Sequence, residues 1–267
     1  MTWFLASAAA LVLMAAGLPG VPGLRRRHPL VPVVLREAGI ASAVFLVWQM
    51  PTRMAAGHRA AATDRALWIH RVQRAAGLPD EAGWQRAVLP YPWLVQTANW
   101  YYAVMHFGVM AAFLVWLFWR HRPAYARVRT TVVLVTSASL AVQLVAVAPP
   151  RLLPRLGYVD TAVRYGQSVY RGGPGSVVAD ELSAVPSVHV AWALLVAVTV
   201  VRVGRGRPRW LAVAHPVLTV VVVVVTANHF WFDAIAAALL LALCAGAQAA
   251  VRRLAPGAGR RAAGLAG

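Results

Sequence analysis

The chain has 267 residues, 60% of them hydrophobic and 13% charged, with a mean hydropathy of +0.62, a balance too apolar for a soluble domain of this length. Its formal charge of +18 comes wholly from arginine, and the arginines stand in short clusters between apolar runs, which excludes a nucleic-acid-binding surface and predicts membrane topology instead. The lone cysteine, Cys244, excludes an internal disulfide and a cysteine-rich metal site.

Seven apolar runs are predicted as membrane helices. The first covers residues 3–18. Nothing basic precedes it and Arg25, Arg26 and Arg27 follow it, so it reads as a retained helix with its N-terminus outside, and residues 1–28 form a separate N-terminal unit. The second covers 31–50, with Arg36 and Glu37 as an interfacial pair. Residues 59–76 are predicted as a helix lying on the membrane surface, its apolar side made by Trp68, Val72, Ala75 and Ala76. The third span, 93–119, carries aromatic residues near both ends, as interfacial anchors do, and holds His106 and Tyr102 as candidates to line a pocket.

The fourth span, 128–148, stops where Pro149 and Pro150 cannot continue a helix. A long loop to residue 185 follows, with its most flexible stretch at Gly172-Gly173-Pro174-Gly175. The fifth span, 188–201, opens on Pro186-Ser187-Val188-His189. The sixth, 210–226, is valine-rich, and the seventh, 229–251, opens on Asn228-His229-Phe230-Trp231-Phe232-Asp233. The membrane domain is thus 29–251, and 252–267 is a basic tail.

Alternate loops concentrate the arginines: 25 to 27, then 120 to 129, 202 to 209 and 252 to 261. The positive-inside rule makes these cytoplasmic, so Arg151, Ser187, His189 and His229 converge on the extracytoplasmic face. Asp233 lies four residues after His229 and on a helix would share its face, able to hold the imidazole in one tautomer with its second nitrogen aimed outward. Ser187 is expected to cap the fifth helix, and Thr226 or Asn228 the seventh, bringing two helix N-termini to one place. Such a site suits an anion. Arg151, with Arg155, Arg164 and Arg171, could supply guanidinium forks for phosphate oxygens, and two histidines could serve as nucleophile and general acid without a metal or other cofactor.

The segments Pro186-Ser187-Val188-His189-Val190-Ala191-Trp192 and Asn228-His229-Phe230-Trp231-Phe232-Asp233 resemble the second and third signature motifs of the type 2 phosphatidic acid phosphatase superfamily. Ala148-Pro149-Pro150-Arg151-Leu152-Leu153 and Asn99-Trp100-Tyr101-Tyr102-Ala103 are similar to its inositolphosphotransferase branch, which includes inositol phosphorylceramide synthases. The resemblance implies an all-α integral membrane fold, a six-helix core to which this chain adds an N-terminal helix and an interfacial helix. It implies His229 as nucleophile, Asp233 as its orienting carboxylate and His189 as general acid. It also implies a lipid phosphate or phospholipid substrate, a phosphohistidine-type intermediate and a place in a bacterial plasma membrane. Two departures stand out. The usual first motif carries a lysine and this chain has none, so Arg151 takes that role by position. The Ser-Arg pair that precedes the third-motif histidine in the family is Val222-Val223 here.

Two other classes use the same residues. A zinc hydrolase could ligate its metal with His189, His229 and Asp233, yet no His-Glu-x-x-His helix occurs. A proton-coupled transporter or lipid flippase could use the Asp-His pair as a relay, yet no pair of related halves is visible.

Overall fold

The structure is a computed structural model that describes residues 31–48, 59–168 and 182–254. The first predicted span, the cluster at 172–175 with Arg171, and the tail beyond 254 lie outside the described residues. The fold is helical. Among the described residues the nearest thing to a strand is one isolated parallel bridge between Val147 and Ser183.

The helices follow in order as α1 (Val31–Trp48), α2 (Arg59–Ala75), α3 (Glu81–Val88), α4 (Pro92–Arg120) and α5 (Arg122–Gln143). They continue with the four-residue α6 (Thr161–Arg164), then α7 (Val188–Val203), α8 (Ala214–Val225) and α9 (Trp231–Leu254). A 3-10 turn at Arg207–Val213 runs directly into α8. Among the described residues three helices are long and apolar enough to cross a membrane, Pro92–Arg120, Arg207–Val225 and Trp231–Leu254, and Val188–Val203 is apolar but shorter. These lengths and the composition suggest a membrane protein.

Sequence chemistry sets the helix ends. Pro92 and Pro123 each fall in a first turn, where a missing N–H costs nothing, so α4 and α5 turn about His121 as an antiparallel pair. The Ser187 hydroxyl accepts the Val190 N–H at 3.4 Å and starts α7 as expected, and Gly204 follows its last turn. Along α5 a polar stripe is buried at Thr131, Thr136, Ser139 and Gln143. Its members pin the neighbouring elements: Trp192 Nε1 donates to Thr136 at 3.0 Å, Gln143 donates to the Pro186 carbonyl at 3.2 Å, and Thr131 donates to Gln248 at 3.0 Å. Buried hydroxyls and amides that are paired in this way fix the register of α5 against α7 and α9, which apolar contact alone would leave free to slide.

Two apolar clusters bracket the site. The larger joins α4, α5, α7, α8 and α9 through Met110, Phe113, Val135, Trp192, Val223 and Ala237. The second forms a cap over one end of the bundle from Ala62, Ala66 and Ile69 of α2, Ala82 of α3, residues 146–148, Tyr158 and Phe230. The cap was only half visible in the sequence. The stripe of Trp68 and Val72 is exposed as a surface helix requires, but α2 also packs inward on a different face, at Ala62, Ala66, Ile69 and Gln73. Two alanines a turn apart let the backbones approach, so the Ala148 N–H reaches the Ala62 carbonyl at 3.1 Å and Arg65 donates to the Ala146 carbonyl at 2.8 Å.

Candidate active site

Where α8 ends, Thr226 bonds back to the Val222 carbonyl at 2.7 Å and Ala227 takes a left-handed backbone, φ 53°. That conformation reverses the chain within a single residue and is costly for a residue with a Cβ, roughly 1–2 kcal/mol. The turn is held from outside: the Arg151 N–H donates to the Ala227 carbonyl at 2.8 Å, and the N–H groups of Asn228 and His229 both reach the Val223 carbonyl. His229 and Phe230 come before the first turn of α9, which begins at Trp231. The expectation that His229 heads the helix is corrected by two residues.

The contact between His229 and Asp233 survives that correction. His229 Nδ1 lies 3.2 Å from Asp233 Oδ2 and 2.8 Å from the Ala184 carbonyl oxygen. A carbonyl only accepts, so Nδ1 carries the proton and Nε2 carries the lone pair. The Nε2 atom is buried with no hydrogen-bond partner among the described residues. Asp233 is fully buried, and its Oδ2 also accepts the Phe230 N–H at 2.9 Å, so one carboxylate oxygen holds both the ring and the backbone next to it.

The expected capping of the seventh helix by Thr226 or Asn228 is a second correction. Thr226 closes α8, Asn228 donates to Thr226 Oγ1 at 2.9 Å, and the start of α9 is capped by carboxylates. Asp233 takes the Phe230 N–H, and Glu81 Oε1 takes the Trp231 N–H at 3.2 Å, negative groups placed at the positive end of the helix. Glu81 is fully buried and also accepts Gln73 Nε2 at 2.5 Å and the Tyr158 hydroxyl at 3.3 Å. Burial first, and the Glu81 charge next, hold the Tyr158 hydroxyl well above the ordinary tyrosine range, so it stays a donor.

His189 in the first turn of α7 faces His229, with ring centroids 5.7 Å apart, and its Nε2 is also buried without a partner among the described residues. The backbone sets this pairing, because the Ser187 N–H donates to the Asp233 carbonyl at 3.3 Å and ties the start of α7 to the start of α9. Tyr102 stacks on His189 at 4.4 Å and 18°, and His106 sits 4.0 Å from it, so both pocket candidates on α4 join the cluster. His106 Nδ1 is 3.1 Å from the Tyr102 carbonyl, and by the same reasoning its proton is on Nδ1.

Arg151 is buried, and its Nε donates to Asn228 Oδ1 at 3.0 Å, one residue before His229. Its Nη1 donates to Asp160 Oδ2 at 3.2 Å, and Asp160 Oδ1 caps α6 through the Val163 N–H. Arg155 and Arg164 do not join this cluster. Arg155, in the next 3-10 turn (Pro154–Leu156), is exposed, and Arg164, at the end of α6, is exposed and lies over its neighbour Tyr165. Sequence reasoning missed Glu81, Asp160, Gln73 and Tyr158. An acidic pair at Asp80-Glu81 is a visible helix-start signal, but nothing in it says that the second carboxylate is swallowed by the cap. Among the described residues no three His, Cys, Asp or Glu side chains come together as a metal ion would need.

A family model described as the PAP2 superfamily matches residues 67–247, about two thirds of the chain. No curated protein and no solved structure gives a match. The chain therefore belongs to the PAP2 superfamily, and this membership suggests phosphatase or phosphotransferase activity.

Proposed function

We propose that the protein is a membrane phosphatase or phosphotransferase that acts on a lipid phosphate or phospholipid head group through a covalent phosphohistidine at His229. The observation that carries this reading is the tautomer of His229. The Ala184 carbonyl and Asp233 both take the Nδ1 proton, so the Nε2 lone pair is the reactive atom, on a ring whose centroid lies 5.7 Å from that of the second histidine.

In the first step Nε2 attacks phosphorus, the P–O ester bond breaks, and the leaving oxygen takes a proton from protonated His189. In the second, water or an alcohol gives its proton to His189 and attacks phosphorus, breaking the P–N bond and restoring His229. Asp233 compensates the positive charge that develops on the His229 ring. Ser187 and Asn228, with Arg151 behind Asn228, form the phosphate side of the site. The acceptor in the second step decides between hydrolysis and transfer of the inositolphosphotransferase type. The arginine distribution supports an extracytoplasmic site in a multi-pass plasma-membrane protein.

The test is phosphate release from a diacyl lipid phosphate by detergent-purified protein, with and without EDTA and beside His229→Ala. Release that persists in EDTA and disappears in the variant is expected. If wild type releases nothing, and phospholipid donors with an alcohol acceptor yield nothing either, the enzyme reading is lost.

A further inference from the structure

At the other end of the bundle α5, α7 and α9 part to leave an apolar groove of about 970 Å³, the upper end of the range for ligand sites. Its cause is legible in α9, which presents Ala238, Ala242, Ala245 and Ala249 along one face at turn spacing, too small to fill the space opposite Leu195 and Val198. Arg127, Arg202 and Arg252, one from each helix, line the groove, and all three are exposed. None of them forms an ion pair among the described residues.

Among the described residues the charge there has no counterpart. The chain has eight acidic residues. Of the six among the described residues, Asp64, Asp80, Glu81, Asp160 and Asp233 lie in segments of the histidine end, and Glu37 is already taken by Arg36, Arg129 and the Tyr125 hydroxyl. A second copy inserted in the same direction would set its own arginine-rich end beside this one, a like-charge contact.

We propose that this groove binds an anionic phospholipid of the leaflet on the arginine-rich side, its phosphate among Arg127, Arg202 and Arg252 and an acyl chain along the alanine face of α9. Charge complementarity selects the head group, and the apolar walls require the chain. The site is separate from the histidines, and the inference does not depend on the reaction.

The full chain, purified in mild detergent, would be assayed for retention of phosphatidylglycerol over phosphatidylcholine, with inorganic phosphate as a competitor. Wild type should prefer phosphatidylglycerol. The triple variant Arg127→Gln, Arg202→Gln, Arg252→Gln should lose at least tenfold of that preference, as should Ala242→Trp, which fills the groove and leaves every charge in place. A control triple, Arg120→Gln, Arg205→Gln, Arg207→Gln, should keep it, and phosphate should compete poorly. Equal loss in the control would assign the preference to general surface charge. Unchanged preference in Ala242→Trp, or full competition by inorganic phosphate, would equally overturn the lipid groove.

Discussion

Replacing Asp233 by Asn changes charge but almost no volume, and the geometry around it sets the expected effect. Asp233 Oδ2 accepts two donors, His229 Nδ1 and the Phe230 N–H, and an amide oxygen in the same place can accept both. The tautomer has a second guarantor in the Ala184 carbonyl at 2.8 Å, so the variant should keep the proton on Nδ1 and the lone pair on Nε2. What it loses is the negative charge opposite a ring that becomes cationic as it bonds to phosphorus. A hydrogen bond to a charged group contributes about 1.5–3 kcal/mol against about 1 kcal/mol for a neutral one, and the gap widens somewhat in a buried site. A loss of roughly 2–3 kcal/mol in the transition state corresponds to about 30- to 150-fold in kcat at 1.36 kcal/mol per tenfold, with KM little changed. Steady-state turnover of a lipid phosphate in detergent measures it. A fall of ten-thousand-fold would mean that Asp233 alone holds the tautomer and that the Ala184 contact contributes nothing. A large rise in KM at constant kcat would make Asp233 a binding residue.

Other perturbations follow from the same geometry. Glu81→Ala strands the Gln73 amide, the Tyr158 hydroxyl and the Trp231 N–H, and should cost on the order of 3 kcal/mol, roughly 6–12 °C of melting temperature; Glu81→Gln should recover most of it, and equal melting of wild type and Glu81→Ala would dismiss the cap. Arg151→Lys cannot bridge Asn228 and Asp160 with one ammonium, so activity should fall by about tenfold or more; full activity in the lysine variant would show that the fork is dispensable. Tyr158 is held neutral in the fold, so its contribution is complete below about pH 10 and is lost as pH rises beyond that, where the unfolded chain ionises. Tyr158→Phe should therefore flatten the alkaline end of the stability profile, and an unaltered profile would count against it.

The parts of this molecule that could be read from its residues are those governed by short-range rules. Ser187 had to cap α7, and a histidine four residues from an aspartate could meet it whether or not the helix had begun, whereas α5 ends at Gln143, short of the Pro149-Pro150 stop that its sequence advertises. The start of α9 was misjudged because its capping groups are Asp233, two residues inside the helix, and Glu81, some 150 residues before Trp231. No local pattern shows such a partner. The inward face of α2 was hidden for a related reason: Ala62 and Ala66 carry little hydrophobic signal, and their role is close approach, which becomes visible only once residues 146–148 lie against them. Arg155 and Arg164 were credited because they share a loop with Arg151, but each belongs to a separate short element, Pro154–Leu156 and α6, that leaves its side chain exposed.

The central claim is a covalent bond between phosphorus and His229 Nε2, and rapid quenching tests it most directly. Purified protein would be mixed with a lipid phosphate labelled at phosphorus, denatured within the first turnover, and digested to locate the label. The account predicts acid-labile, alkali-stable label on the peptide that carries His229, absent from His229→Ala and still formed, more slowly, in Asp233→Asn. Turnover with no protein-bound phosphorus at any time point, or label that persists in His229→Ala, would contradict it.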